Sequence, residues 1–181
     1  HDIGKGWLSD MGGIYTLGVS PGTIIRNNLF HDITCWEHGY GGWGIYLDEG
    51  SSYILVENNI VYRTKSGGFH QHYGKENLIE NNIFALSQTG QIIRTRQEPH
   101  RSFTFQRNIV YWKEGILLGG NWGDLNFALN YNLYFDSSEH PVRFAGYTFE
   151  EWKQKGMDVH SIVDAPLFVD PWRGDFRLRP D

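Results

Sequence analysis

The sequence has one cysteine, Cys35, among its 181 residues, so no internal disulfide can staple the fold. A chain of this length can bury a sizeable core without one, and we expect a single domain. No apolar run reaches the roughly 18 residues of a membrane-spanning helix, and no charged-then-apolar leader opens the chain. Lysine and arginine are scattered and the net charge is −5, which argues against a phosphate-binding surface. We therefore expect neither a membrane span nor a nucleic-acid partner.

The strongest positive signal is an internal repeat, carried by residues 13–33, 44–64, 68–87, 92–113 and 115–137. Each segment has a short strand-like run, a Gly or polar turn, a second alternating run, an asparagine and a third apolar run. Short runs without helical spacing predict an all-β solenoid of about five rungs, whose equivalent strands stack about 4.8 Å apart into parallel sheets. The crossover rule makes it a right-handed parallel β-helix.

One asparagine recurs in every segment, at Asn28, Asn59, Asn82, Asn108 and Asn132. Asparagine tolerates the left-handed backbone region, and its amide can bond the rungs above and below. We therefore predict that the five stack at one corner as a structural ladder. The first step is the longest because residues 34–43 (TCWEHGYGGW, called loop 34–43) are inserted there, and inserted loops in solenoids usually lie on the binding face.

The two ends of the chain differ from the rungs. Residues 1–3 (HDI) repeat residues 31–33, so the chain is expected to start on the last strand of a further rung and to be truncated. Residues 147–156 predict a short helix, capped by Thr148 with Glu151 three residues on. Residues 164–181 read as an extended segment packing on the solenoid end. We expect rungs over 1–137, and the helix and capping segment of the same domain over 138–181.

Alternation along the first strand of each rung predicts which side chains face outward. One outward column contains Tyr15, Tyr46, His70 and Arg94, and the next contains Leu17, Asp48, His72 and Arg96. The inward positions are Ile14, Ile45, Phe69 and Ile93, with Thr16, Leu47, Gln71 and Thr95. A one-residue slip in the fourth rung would reverse its faces.

The sequence resembles polysaccharide-active enzymes of the right-handed parallel β-helix superfamily, over nearly the whole chain. The likeness is carried by residues 9–18 (SDMGGIYTLG), 44–52 (GIYLDEGSS), 68–77 (GFHQHYGKEN) and 164–181 (DAPLFVDPWRGDFRLRPD). It is closest to β-helix glycoside hydrolases that include α-L-fucosidases and xylanases acting on plant cell-wall glycans. The resemblance implies Asp10 and Asp48 as the acid and base pair, and we take Glu49 as the reserve candidate. The superfamily also holds lyases, epimerases and phage tailspikes, so the fold alone does not fix the function.

The first hypothesis is hydrolysis of a glycosidic bond by Asp10 and Asp48, and we expect inversion because the two are not in one column. His70 and His72 would shuttle protons, hold sugar hydroxyls or, when charged, keep Asp48 ionised. Arg94 and Arg96 would bind the carboxylate of a uronic acid. The expected stacking platforms for sugar faces are Tyr15, Tyr46, Trp43, Trp36 and Trp122.

Less specific interpretations remain open for the same residues. Asp10 before Gly12 and Gly13 is also typical of a turn that bonds its own backbone. Cross-rung pairs of Asp, His and Arg can simply stabilise a sheet surface, and buried aromatics can be packing alone.

Two other functions compete with hydrolysis. One is a metal-dependent lyase or epimerase in which His70, His72 and Asp48 or Glu49 hold a cation, although two histidines without a firm third ligand are a weak signal. The other is a non-catalytic, adhesin-like glycan-binding solenoid. We expect a secreted or periplasmic protein whose partner is a polysaccharide or oligosaccharide, with no cofactor and no metal.

Overall fold

The structure is a computed structural model, and it describes residues 1–138 and 140–180. The chain forms an all-β, right-handed parallel β-solenoid of about five turns, with one short helix and one 3-10 turn. The predicted fold class is therefore confirmed. No helix in the described part of the chain is both long enough and apolar enough to cross a membrane.

Each rung contributes one strand to each of three parallel sheets, with strands numbered in chain order. Sheet 1 contains β1 (Gly12–Thr16), β4 (Trp43–Leu47), β7 (Phe69–Gln71), β10 (Gly90–Arg94) and β13 (Ile116–Gly120). Sheet 2 contains β2 (Ile24–Arg26), β5 (Leu55–Glu57), β8 (Asn77–Glu80), β11 (Phe103–Gln106) and β14 (Ala128–Asn130). Sheet 3 contains β3 (Leu29–Ile33), β6 (Ile60–Thr64), β9 (Ile83–Ala85), β12 (Ile109–Trp112), β15 (Leu133–Asp136) and β16 (Ile162–Val163).

The interior is filled by stacked apolar side chains from all three sheets. Ile45, Phe69 and Ile92 are aligned in neighbouring strands of sheet 1, and each is fully buried. Phe105 of sheet 2 and Phe84 of sheet 3 contact Phe69 from the other sides. Burying a side chain of this size contributes about 1.5 to 3 kcal/mol, so the stack is the main source of stability.

The asparagine ladder is confirmed at the corner between sheets 2 and 3. The Oδ1 atom of each member after Asn28 accepts from the backbone N–H and the side-chain Nδ2 of the member one rung earlier, as Asn82 does from Asn59 at 2.9 and 2.9 Å. Equivalent pairs join the other rungs, and Asn132 N–H donates to Ser161 Oγ at 2.8 Å, which ends the ladder. The left-handed backbone falls on the preceding residues, such as Asn81 (φ 55°) and Arg107 (φ 54°). The ladder positions therefore need asparagine for its side-chain amide and not for a left-handed backbone.

The predicted helix is confirmed as α1 (Phe149–Gln154). Its capping box is complete, because Thr148 Oγ1 accepts from the Glu151 N–H at 3.2 Å and Glu151 Oε2 accepts from the Thr148 N–H at 2.8 Å. Trp152 is fully buried against the core, and its Nε1 donates to Asp158 at 2.9 Å. This segment closes the C-terminal end of the solenoid.

The expected place of the C-terminal tail was wrong. Its antiparallel strands, β17 (Phe168–Asp170) and β18 (Asp175–Leu178), do not pack on the solenoid end but cover the outer face of sheet 3. Phe176 packs 5.2 Å from Tyr62, and Phe168 packs 6.0 Å from Tyr111, between ring centroids. The reason is that this outer column is aromatic and needs an apolar cover.

Residues 1–3 lie beside residues 31–33, whose sequence they repeat. The His1 ring stacks on the His31 ring at 5.0 Å, and Ile3 forms a parallel bridge with Ile33. The repeated HDI pattern therefore reflects stacked positions in sheet 3.

The register of sheet 1 agrees with the prediction in the first three rungs, where Tyr15 aligns with Tyr46 and Tyr46 with His70. In the fourth rung Ile93 aligns with His70, and Arg94 aligns with Gln71. The predicted faces of that strand are therefore reversed.

Candidate functional site

A cleft of about 430 Å³ lies on the outer face of sheet 1, beside loop 34–43, and we call it the candidate cleft. It is lined by Asp10, Tyr40, Trp43, Tyr46, Asp48, Glu49, His70, His72 and Thr95. Seven of these were singled out from the sequence, and Tyr15 borders the cleft through its bond to Asp48. The two arginines do not line it.

Each of the two aspartates is held by a tyrosine. Tyr15 donates its hydroxyl to Asp48 Oδ2 at 2.5 Å, and this hydrogen bond is the main reason that the pKa of Tyr15 rises to about 12. Tyr46 donates to Asp10 Oδ1 at 3.2 Å. Burial is the main cause that raises the pKa of Tyr46 well above its usual range, and the nearby Asp48 and Asp10 raise it further. Both carboxylates thus act on the Tyr46 hydroxyl, whose hydrogen is donated to Asp10.

Both carboxylates line the candidate cleft. Two carboxyl groups that face one cleft are the pair that hydrolysis of a glycosidic bond uses.

The local backbone explains how the two aspartates meet. Asp48 directly follows β4, and its N–H donates to the Thr16 carbonyl of the previous rung at 3.0 Å. Asp10 precedes β1 in a left-handed conformation (φ 51°), and its N–H donates to the Tyr40 carbonyl at 2.8 Å. The carboxylate of Asp10 accepts from Tyr46, a contact that an aspartate serving only in a turn would not need.

The histidines share a hydroxyl group. Thr95 Oγ1 lies 3.1 Å from His70 Nε2 and 2.6 Å from His72 Nδ1. His70 is only 2% exposed and stacks on Tyr46, with ring centroids 4.5 Å apart. Burial, reinforced by His72 and opposed by Asp48, lowers the pKa of His70 to about 3. His70 is therefore uncharged at neutral pH and does not serve as the cation expected to keep Asp48 ionised.

Two buried nitrogens of the candidate cleft have no hydrogen-bond partner among the described residues. They are His70 Nδ1 and Trp43 Nε1, whose rings lie 4.3 Å apart. Buried polar atoms without partners are rare in proteins and are frequent at functional sites.

The expected role of Arg94 was wrong, because its side chain points into the solenoid and is fully buried. Its guanidinium contacts Asp124 Oδ1 and Oδ2 at 2.8 and 2.9 Å, and Ser102 Oγ at 2.9 Å. Arg96 is exposed and lies over the Tyr73 ring at 5.0 Å. The predicted arginine pair for a substrate carboxylate is thus absent from the candidate cleft.

Three other assignments change with the structure. Thr95, expected to point inward, faces outward and joins the histidines. Trp122 is buried and packs against Phe127, so it is not a platform for sugar. Tyr40 was missed, and its only sequence signal is its position in the inserted loop.

Among residues 1–138 and 140–180, no three His, Cys, Asp or Glu side chains come together as a possible metal site. His70 and His72 converge on Thr95, and no carboxylate completes a ligand set with them.

The three-sheet solenoid and its asparagine ladder define the class of protein as a parallel β-helix. The family model described as a right-handed β-helix region matches residues 3–132, and the chain belongs to that family. Neither curated proteins nor solved structures give a match to the chain. β-Helix domains occur in polysaccharide-active enzymes and also in non-catalytic proteins, so membership leaves the activity open.

Proposed function

We propose that the protein is a glycoside hydrolase that cleaves a polysaccharide or oligosaccharide with Asp10 and Asp48. The observation that carries the proposal is that two carboxylates from neighbouring rungs line one cleft with aromatic walls, where each accepts a hydrogen bond from a tyrosine. A pair of carboxyl groups is what acid and base hydrolysis of a glycosidic bond requires.

In the proposed reaction Asp10 is the acid and Asp48 is the base. Asp10 gives its proton to the glycosidic oxygen, and the bond from this oxygen to the anomeric carbon breaks. Asp48 takes a proton from the water whose oxygen attacks the anomeric carbon. Asp48 suits this role because Tyr15 fixes one of its oxygens. Asp10, the other aspartate that lines the candidate cleft, is then the acid.

The charges around the candidate cleft favour an uncharged sugar as substrate. Its acidic side chains are Asp10, Asp48 and Glu49, and its buried histidine is neutral. With Arg94 inside the solenoid, a uronic acid would face carboxylates without a cation beside them, which is electrostatically unfavourable.

Exposure decides which aromatic rings can hold the sugar. Tyr46 and Trp43 are 4% and 6% exposed, so they form the floor. Tyr40 and Tyr15 are 64% and 44% exposed, and these rings are free to stack on the apolar face of a sugar. Because such glycans lie outside the cytoplasm, the proposal includes a secreted or periplasmic location.

Release of reducing ends from a panel of neutral plant and microbial glycans tests the proposal. Asp10→Asn and Asp48→Asn should each lower kcat by orders of magnitude and leave the fold intact, because neither side chain belongs to the apolar core. Asp164→Asn, an exposed aspartate near the tail, is the matched control and should be fully active.

Two results would contradict hydrolysis. Near-normal turnover in Asp48→Asn would remove the proposed base. Glycan binding without any turnover by the unchanged protein would favour the non-catalytic alternative. In that case Tyr15 and Tyr46 would stay hydrogen-bonded to the two aspartates.

A further inference from the structure

Residues 34–42 of loop 34–43 form no regular strand and depend on bonds to other segments. The loop lies along the segment that carries Asp10, and four backbone hydrogen bonds join the two, one of them from the Trp43 N–H to the Met11 carbonyl at 3.2 Å. The Trp36 N–H donates to the Leu8 carbonyl at 2.8 Å, and the Gly42 N–H donates to the Met11 carbonyl at 2.9 Å. Between them the Asp10 N–H donates to the Tyr40 carbonyl at 2.8 Å. The position of Asp10 is therefore coupled to that of the loop.

One side chain from the next rung holds this loop. Lys65 directly follows β6, and its Nζ contacts the carbonyls of Trp36, Glu37 and Gly39 at 2.8, 3.1 and 3.2 Å. Cys35 Sγ lies 3.1 Å from the same nitrogen. All four acceptors belong to the loop. An ammonium group has three protons, so the loop can satisfy every one of them.

The charge of Lys65 is directed to this loop alone. Among the described residues no carboxylate lies within 4.0 Å of its ammonium group. Hydrogen bonds from a charged donor are stronger than neutral ones. Three of them on loop carbonyls within four residues restrict a segment that three glycines would otherwise leave free.

We propose that Lys65 is a positioning residue, whose ammonium group fixes loop 34–43 and thereby holds Asp10 beside Tyr46 and Tyr40 at the mouth of the candidate cleft. The inference rests on the proposed function for its catalytic consequence, but the clamp itself is a property of the folded chain. The ammonium group of Lys65 contacts three backbone carbonyls and one thiol, so its role differs from that of a packing residue.

The first test needs no substrate. Lys65→Met keeps the apolar stem and removes the donors, Lys65→Arg keeps charge and donors, and Lys75→Met alters an exposed lysine on another turn. Amide hydrogen exchange of residues 36–42 should accelerate at least tenfold in Lys65→Met only. The pKa of Tyr40, which the charge of Asp10 raises, should fall back towards 10.0 in the same variant when followed by NMR of labelled tyrosines.

The second test uses turnover. Lys65→Met should lower kcat about 10- to 100-fold with little change in KM, because a small displacement of a catalytic group costs rate. Lys65→Arg should restore most of the rate, and Lys75→Met should match the unchanged protein.

Unchanged exchange and an unchanged Tyr40 titration in Lys65→Met would overturn the clamp, whatever the activity. So would a Lys65→Met chain that fails to fold, because a surface clamp is not needed for folding. If the loop loosens as expected but the unchanged protein cleaves no glycan, the clamp stands and the proposed function fails.

Discussion

Arg94 and Asp124 form a two-pronged ion pair inside the solenoid, with Nη1 to Oδ1 at 2.8 Å and Nη2 to Oδ2 at 2.9 Å. The arginine side chain is completely buried, whereas that of Asp124 is 16% exposed. The interior of the fourth rung thus carries a charge that needs its partner.

Removing the carboxylate should therefore cost more than removing the arginine. We expect Asp124→Ala to lower the free energy of unfolding by about 3 to 5 kcal/mol, because it leaves a buried guanidinium uncompensated. Arg94→Met should cost less, since Asp124 can reach water and methionine fills much of the space. Urea unfolding of both variants measures the difference, and equal losses would contradict the unequal burial of the two partners.

Most of the fold could be predicted from the sequence because it depends on a repeated pattern. The asparagine spacing marks each rung, and Thr148 with Glu151 marks the helix, since both are local signals. Arg94 could not be placed in this way. Ile92 and Ile93 are adjacent, so either could join the inward column, and the partner that decides the register is 30 residues further along the chain.

The same limit applies to the candidate site. Asp10, Asp48 and the histidines could be predicted from alternation and resemblance, because they lie on or next to strands. The roles of Tyr40 and Lys65 depend on the path of an inserted loop, which no periodicity describes. The charge of His70 depends on burial, and the sequence gives no measure of it.

The asparagine ladder should lose more stability when a central member is removed than when the first one is. Asn82 makes bonds to the rungs on both sides and is 1% exposed, whereas Asn28 lies on the exposed first rung. We expect Asn82→Ala to cost about 3 kcal/mol and Asn28→Ala about 1 kcal/mol. Chemical denaturation measures both, and similar costs would mean that the amide bonds contribute little.

His70 should make the protein less stable at acidic pH. The folded state lowers its pKa from 6.5 to about 3, so between these values the unfolded chain binds more protons. The free energy of unfolding therefore decreases as pH falls through this window, by up to about 1.4 kcal/mol per unit from this group. Unfolding of the unchanged protein and of His70→Phe between pH 7 and pH 4 compares the slopes.

The variant should show a shallower slope, because phenylalanine can stack on Tyr46 without titrating. His140→Phe, at an exposed histidine, should leave the slope unchanged. An identical slope in His70→Phe would show that the imidazole is not held uncharged.

The stereochemistry of cleavage should be inversion. Directly stacked residues in neighbouring rungs would be about 5 Å apart, the separation that favours a covalent, retaining route. Asp10 and Asp48 are not stacked: one precedes β1 and the other follows β4, so they approach the candidate cleft from opposite ends of their strands. Each carboxylate accepts from a different phenol, Asp10 from Tyr46 and Asp48 from Tyr15. We therefore expect a separation that leaves room for a water between the base and the sugar, as inversion requires.

The product anomer, recorded by NMR before mutarotation, measures the outcome. Inverted product together with loss of turnover in both Asp10→Asn and Asp48→Asn is the expected result. Retained product, with a glycosyl group trapped on Asp48 and detected by mass spectrometry, would make Asp48 a nucleophile.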